Sequence, residues 1–418
     1  MLGPGLERLH RVRRHRLTPL RYAAFRRALA GRVLSSAGSW MQITAAGWLV
    51  YELTESATAV GVLTMLNRGP GLLSAYSGVL VDRYEVRRLS MVLFGAQVIP
   101  AAALAVIAWD NLAALPLIYV LVFLSGAGNA LSQATLPTLI PETVPPEEHA
   151  AANGLSGVGY SLAAVLGPLI GGGLVSAVGA GACFGVNALS YLALVALMPT
   201  LPPVRRVPEQ VAAGLRPALT AAGRGTSLFA LLVGAAVFAL LVGPVQELAP
   251  VIARRHSDGA HVLGYLLAAL AAGGVLGNLL VGFDEVPSAS RRRLMGGAAI
   301  LFAVATAGLA ISPTLPLTLL AMLGTGMIWQ ASFVQLMTWL QTVAPASLSG
   351  RMVGFFFTVN LVGFALGALL VGLLFDAIGV TDGLLICAAG LAIWGLYKLL
   401  VPRRATPPPF IEPAGSGA

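Results

Sequence analysis

Runs of about 20 apolar residues, each long enough to cross a hydrocarbon layer as a helix, alternate along this chain with short polar clusters. The pattern predicts helices at 28–51, 58–81, 90–109, 115–137, 151–177, 181–200, 227–250, 262–283, 294–312, 315–340, 351–375 and 380–401. Membrane β-barrel strands are excluded, because the runs lack strict alternation and exceed the length of such strands. The expected fold class is therefore all-α integral membrane, with twelve transmembrane helices. After the sixth run, Pro202-Pro203-Val-Arg-Arg-Val-Pro208-Glu209 breaks the apolar rhythm as a linker would. The halves on either side echo one another. Thr143-Val144-Pro145, Gly167-Pro-Leu-Ile-Gly-Gly-Gly-Leu174 and Val178-Gly179 are matched by Thr342-Val343-Ala344, Gly367-Ala-Leu-Leu-Val-Gly-Leu-Leu374 and Ile378-Gly379. An offset of about half the chain predicts two pseudo-symmetric six-helix bundles. The expected organisation is a basic tail over 1–27, a bundle over 28–200, a linker over 201–226, a second bundle over 227–402 and a tail over 403–418.

Composition requires the bilayer as solvent. The chain of 418 residues is 57% hydrophobic and 10% charged, with a mean hydropathy of +0.83, and no soluble fold has enough interior to hide that much apolar surface. Cys183 and Cys387 each fall inside an apolar run, so small buried side chains are expected, with no disulfide, metal site or cofactor. The long basic segment ahead of the first run predicts a retained helix, not a cleaved leader. The net charge of +9 raises nucleic acid as a partner, but the placement of the arginines argues against it. They gather before the first run, after the second, sixth and eighth, and around Arg351, whereas the alternate loops offer Arg254 and Arg255. The positive-inside rule then places both termini in the cytoplasm of a multi-pass protein of the cell inner membrane, with anionic lipid within reach of the tail.

Polar residues inside the runs mark candidate chemistry, since lipid penalises them and a bundle interior or aqueous path accepts them. The first run carries Gln42 among several serines and threonines. The second carries Arg68 before Gly69-Pro70-Gly71, about 21 Å along the helix from Asp82. That guanidinium either lines a cavity opened by the weakened helix or reaches the opposite headgroups. The fourth run offers Asn129 and Gln133, which suit a cavity wall or interhelical hydrogen bonds. Glu247 lies between Pro244 and Pro250 in the seventh run. It is a candidate protonatable coupling group, although about 30 Å of helix from Ser227 also suits an interfacial glutamate. Trp329 and Gln330 of the tenth run complete the expected substrate or proton pathway.

Two motifs carry more specific information. Gly78-Val-Leu-Val-Asp82-Arg83-Tyr-Glu85-Val-Arg87-Arg88 packs opposite charges into a turn too short to be a domain. It resembles the loop after the second helix of the major facilitator superfamily, Gly-x-Leu-x-Asp-Arg-x-Gly-Arg-Arg/Lys, departing at Glu85 and Val86. In the fifth run, Gly154, Ala163, Gly167, Pro168, Gly171 and Gly172 resemble the antiporter motif of exporting facilitators, with Ala163 in place of one glycine. Small residues at this spacing let another backbone approach. Within the superfamily the chain is similar to the enterobactin-exporter and drug-efflux branch, through Tyr51-Glu-Leu-Thr, Val81-Asp-Arg-Tyr-Glu, and Leu340-Gln-Thr through Gly350-Arg351.

The resemblance implies two bundles rocking about a central site, lined by helices 1, 4, 7 and 10 and driven by protons. It implies export of a small amphipathic molecule, a siderophore or a drug, by a monomer. Gly78, Asp82, Arg83, Arg87, Arg88 and Arg351 are the expected gating residues, with Asp82 meeting the start of helix 11, where free N–H groups favour an anion. Facilitated uptake, or a membrane sensor or accessory subunit without transport, are the alternatives. An enzyme is not expected, because no nucleophile triad, metalloprotease motif or phosphate loop occurs in the sequence.

Overall fold

The computed structural model describes residues 17–110, 114–205, 227–257, 259–280, 288–343 and 349–400, with the side chains at 75, 227, 230, 288–292 and 349–351 also outside the description. Its long helices are α1 (Ala23–Thr54), α2 (Ala57–Arg68 continuing as Ser74–Arg83), α3 (Val86–Trp109), α4 (Leu115–Ser132), α5 (His149–Val178) and α6 (Ala180–Leu197). The second half supplies α7 (Ser227–Glu247), α8 (His261–Leu280), α9 (Ser288–Ile311), α10 (Leu315–Val343), α11 (Ser349–Ile378) and α12 (Val380–Leu400). Among the described residues, nine helices are long and apolar enough to cross a membrane. Two of the other three expected spans fall short for local reasons: polar residues dilute α1, and α2 is interrupted; α7 is apolar over its described stretch, Leu231–Glu247.

Three helices depart from the continuous rods that hydropathy predicts. In α2, Pro70 has no N–H to give the preceding turn, and Gly69–Leu73 tightens into a 3₁₀ turn. α4 stops at Ser132 and restarts as a short helix, Thr135–Leu139. The break is stitched from α2, because Ser77 Oγ accepts the Ala134 N–H at 2.9 Å. α7 ends at Glu247, and Pro250 opens a separate turn of helix over Ala249–Arg254, since proline suits the first helical turn and not the interior.

The helices sort into two bundles. In the first, α1 packs on α5 and α6, α3 on α4 and α6, and α2 on α4; in the second, α7 packs on α11, α8 on α10, and α9 on α10 and α12. The halves meet along two crossings, α2 with α11 and α5 with α8. We call the end bearing the α2–α3 turn basal and the opposite end distal. Both crossings close distally, where backbones touch. A Cβ on Gly61 would stand 2.6 Å from the Ala368 carbonyl oxygen, and one on Gly172 would stand 2.6 Å from that of Ala260. Basally the same helices part: no non-local atom lies within 4 Å of where a Cβ of Gly78, Gly154 or Gly157 would be. The expected linker falls largely within 206–226, outside the described residues.

Candidate functional site

The helix break at Gly69-Pro70-Gly71 leaves Arg68 at the carboxyl end of a helical segment, where the free carbonyls favour a cation. α7 ends at Glu247, and the following Ala249–Arg254 turn folds onto α1, with Pro250 Cγ 3.1 Å from the Cβ position of Gly47. These two local features, one from each half, bring the charges together. Arg68 Nε donates to Glu247 Oε1 at 2.9 Å, and Arg68 Nη2 bonds the same oxygen. Gln246 Nε2 adds a third donor at 3.4 Å, and Thr64 Oγ1 approaches Oε2 at 3.5 Å. The Glu247 side chain is 7% exposed and that of Arg68 24%, so the carboxylate is the more enclosed partner.

Below this pair lies a cavity of about 420 Å³, bordered by both halves. Trp40, Tyr160 and Pro168 form its first-half wall, and Trp329, Phe333 and Phe364 its second-half wall. Trp329 is held as a rigid plane. It stacks on Phe238 with centroids 5.4 Å apart and meets Phe364 edge-on at 5.0 Å. Phe364 also presents its face to the Arg68 guanidinium, 5.3 Å from the ring centroid, a cation–π arrangement that compensates part of the lost hydration. Gln246, Asn278 and Gln330 supply hydrogen-bonding groups. Distal to the pair, a cavity of about 50 Å³ is bordered by Gln42, Thr44, Thr64, Asn67 and Glu247. Aromatic planes, a few amides and one neutralised charge pair suit an amphipathic organic molecule.

The remaining candidates fall at several places. Gln42 is buried and accepts from Asn187 Nδ2 at 2.7 Å. Asn129 and Gln133 are exposed on the basal half of α4, clear of the lining of either cavity. In the fifth helix, Gly167 abuts Trp40 and Ala37 of α1, Gly171 abuts Met41, and Gly172 faces Gly264 of α8. Ala163 is fully buried, whereas a Cβ on Gly154 would meet open space. Pro168 borders the main cavity.

In the α2–α3 turn, Glu85 pairs with Arg87 at 3.3 Å and Arg88 at 3.1 Å. Arg87 Nη1 also donates to the Leu201 carbonyl at 3.1 Å, and the Val86 N–H to that of Val204 at 2.9 Å, tying the turn to the exit of α6. The side chains of Asp82 and Arg83 make no hydrogen bond or ion pair among the described residues, and the Arg351 side chain lies outside them. Sequence reasoning passed over Phe364 and Tyr160. Each is one aromatic in an apolar helix, and hydropathy does not say which faces the cavity.

Residues 15–407 match the family model described as transmembrane secretion effector, one of the major facilitator models. The multidrug efflux pump Tap of Mycolicibacterium fortuitum is 28% identical over 394 residues, covering 90% of this chain and 95% of that protein. The enterobactin exporter EntS of Escherichia coli O6:K15:H31 is 28% identical over 410 residues, covering 94% and 96%. Among solved structures, a bacterial homologue of the human lysosomal transporter Spinster, inward-facing and unoccupied, aligns with a TM-score of 0.70 at 16% identity, over 90% of this chain and 97% of that one. With a family model matching nearly its full length and a two-bundle helical fold shared with solved transporters, the chain belongs to the transmembrane secretion effector family of the major facilitator superfamily.

Proposed function

We propose that the protein exports a small amphipathic molecule, a siderophore or an aromatic drug, in exchange for protons by alternating access. The observation that carries this is the ion pair between Arg68 and Glu247, which joins the two halves at the roof of the aromatic cavity. A transporter needs a charge whose state differs between its two conformations, and a carboxylate bonded across the moving interface is such a group. On this reading the basal end is cytoplasmic, as the arginine-rich loops favour, and the structure is the inward-open, deprotonated form awaiting cargo. Cargo docks against Trp329 and Phe364, with Gln330 and Gln246 satisfying its polar edge. When the distal end opens, a proton from outside neutralises Glu247 and frees Arg68. When the basal end reopens, the proton leaves and the pair re-forms.

Basal closure brings Asp82 to the first turn of α11, where free N–H groups and Arg351 receive its charge. Gly78 permits the approach, while Arg83, Arg87 and Arg88 fix the turn's position. Gly167 and Gly171 seat α5 against α1, and Gly172, facing Gly264 of α8, is the point of the motif on which the halves pivot. The names of Tap and EntS support an efflux direction and a drug or siderophore cargo. The protein works as a monomer in the inner membrane, with both termini in the cytoplasm.

The test is efflux of fluorescent dyes and catecholate siderophores from proteoliposomes carrying an imposed pH gradient. The wild-type protein is expected to export against a concentration gradient, and a protonophore to abolish this. Glu247→Gln is expected to bind cargo but to export only down its gradient. Undiminished uphill export by Glu247→Gln would remove the coupling role from this residue.

A further inference from the structure

Asp376 lies near the distal end of α11, in the second half, yet every hydrogen bond its carboxylate accepts crosses to the first. Ser56 Oγ donates to Oδ2 at 2.7 Å, the Ala57 N–H to Oδ1 at 2.8 Å and the Thr58 N–H to Oδ2 at 2.9 Å. These are the first free N–H groups of α2, so a carboxylate from one bundle caps a helix that begins in the other. Ser56 is also the helix's own cap, accepting the Ala59 N–H at 3.2 Å. The crossing beneath the cap is tight, with a Cβ on Gly372 falling 2.6 Å from the Ala57 carbonyl oxygen.

The other distal crossing repeats the arrangement. Ser176, near the distal end of α5, accepts the N–H of His261, the first residue of α8, at 2.8 Å. Ser176 and Asp376 stand at matching places in the two halves, each four residues beyond a glycine at the crossing, Gly172 and Gly372. Both distal seals thus end in a side chain of one half capping a helix start of the other, one through a charge and one through a hydroxyl.

We infer that Asp376, assisted by Ser176, is the releasable lock of the distal end: its three bonds must break for that end to open. This inference rests on the alternating-access reading above. Release is cheap because Ser56, Thr58 and Asp376 lie at the exposed rim, where water replaces the lost bonds. On this inference the antiparallel packing of α2 and α11 lets the two ends exclude each other. α2 and α11 run in opposite directions, so each has its start beside the other's finish. Asp376, at the finish of α11, caps the start of α2 distally, and Asp82, at the finish of α2, is placed to cap the start of α11 basally. Tilting one helix against the other makes one cap and breaks the other.

The experiment uses the full chain with Cys183 and Cys387 replaced by alanine and Val60→Cys introduced. Val60 is 1% exposed and borders the small cavity distal to the ion pair. In oriented vesicles, a membrane-impermeant maleimide added from the distal side reacts in proportion to the distally open fraction. Asp376→Ala is expected to raise that rate about fivefold, from the usual worth of a helix cap. Ser176→Ala is expected to raise it by a smaller factor, and the double variant by about the product. Asp376→Asn, which keeps an acceptor and loses the charge, is expected to give about a two- to fivefold increase, and carries the test if the alanine variant does not fold. The rate from the basal side should not rise. Unchanged distal rates, or equal increases from both sides, overturn the inference. Because labelling needs neither cargo nor a proton gradient, that outcome is distinct from failure of the exporter reading.

Discussion

Replacing Arg68 with methionine leaves the Glu247 carboxylate, 7% exposed, with Gln246 and a long contact to Thr64 as its remaining polar neighbours. Stranding one member of a fully buried pair costs about 3–5 kcal/mol. Arg68 is 24% exposed at the cavity edge, where water screens part of the interaction, so the expected loss is about 2–3 kcal/mol. Replacing Glu247 with glutamine is milder. The amide oxygen still accepts from Arg68 Nε, and the guanidinium keeps the Phe364 ring, an interaction worth about 0.5–1 kcal/mol. A loss of about 1 kcal/mol is expected there, and about the same for the double variant, in which no charge is stranded. The coupling energy between the two substitutions is then about 2–3 kcal/mol. Denaturing-detergent titrations of the four proteins at one pH above neutrality measure it. Additivity within about 0.5 kcal/mol would refute the claim that the two charges act as a unit.

Other consequences concern the distal end and the second half. His256 Nε2 lies 2.8 Å from Thr318 Oγ1, and burial together with the neighbouring Arg255 holds its pKa below the ordinary histidine value of 6.5. Between that lowered value and 6.5 the unfolded chain binds more protons than the native one. Stability is therefore full above about pH 6.5 and falls as pH drops through that window; melting curves from pH 8 to 5 should show the loss, and His256→Gln should flatten it. Arg255 donates to the Leu309 and Ala310 carbonyls at 3.2 and 3.0 Å, closing the end of α9. Arg255→Ala should lower stability by about 2 kcal/mol and Arg255→Lys by less, read in the same titrations. Gly172→Val puts branched carbon where a Cβ alone would stand 2.6 Å from a backbone oxygen. It should hold the distal crossing apart and reduce cargo turnover by at least about tenfold with normal membrane levels; near-normal turnover would show that the crossing tolerates separation.

The helices were legible because lipid leaves a spanning backbone no partner but itself, and the half-chain repeat was legible because the two glycine-bearing helices, α5 and α11, kept their spacing. The site was legible residue by residue but not as an arrangement. Arg68 and Glu247 each stood out as charges in apolar runs, yet nothing local joins positions 179 apart in the chain. Counting rise along α7 placed Glu247 at an interface. The structure encloses it because the Pro250 turn folds back over it onto α1, a tertiary event that periodicity does not encode. Asn129 and Gln133 looked suited to a cavity wall, but α4 stops at Ser132, where Ser77 stitches the break to α2, and both residues are exposed outside the lining of the two cavities. Asp376 went unnoticed because, read alone, it is one acid at a helix end, no different from Glu52; its meaning lies in a helix start 319 residues earlier.

The central claim is that the two bundles rock about the Arg68–Glu247 cavity so that one end closes as the other opens. Its most direct measurement is a pair of spin-label distances in lipid nanodiscs, one distal between Leu53 and Ile311 and one basal between Tyr84 and Leu280, all exposed positions. Glu247→Gln imitates the protonated carboxylate and should lengthen the distal distance while shortening the basal one. Distances that move in the same direction, or that ignore the substitution, would contradict the account.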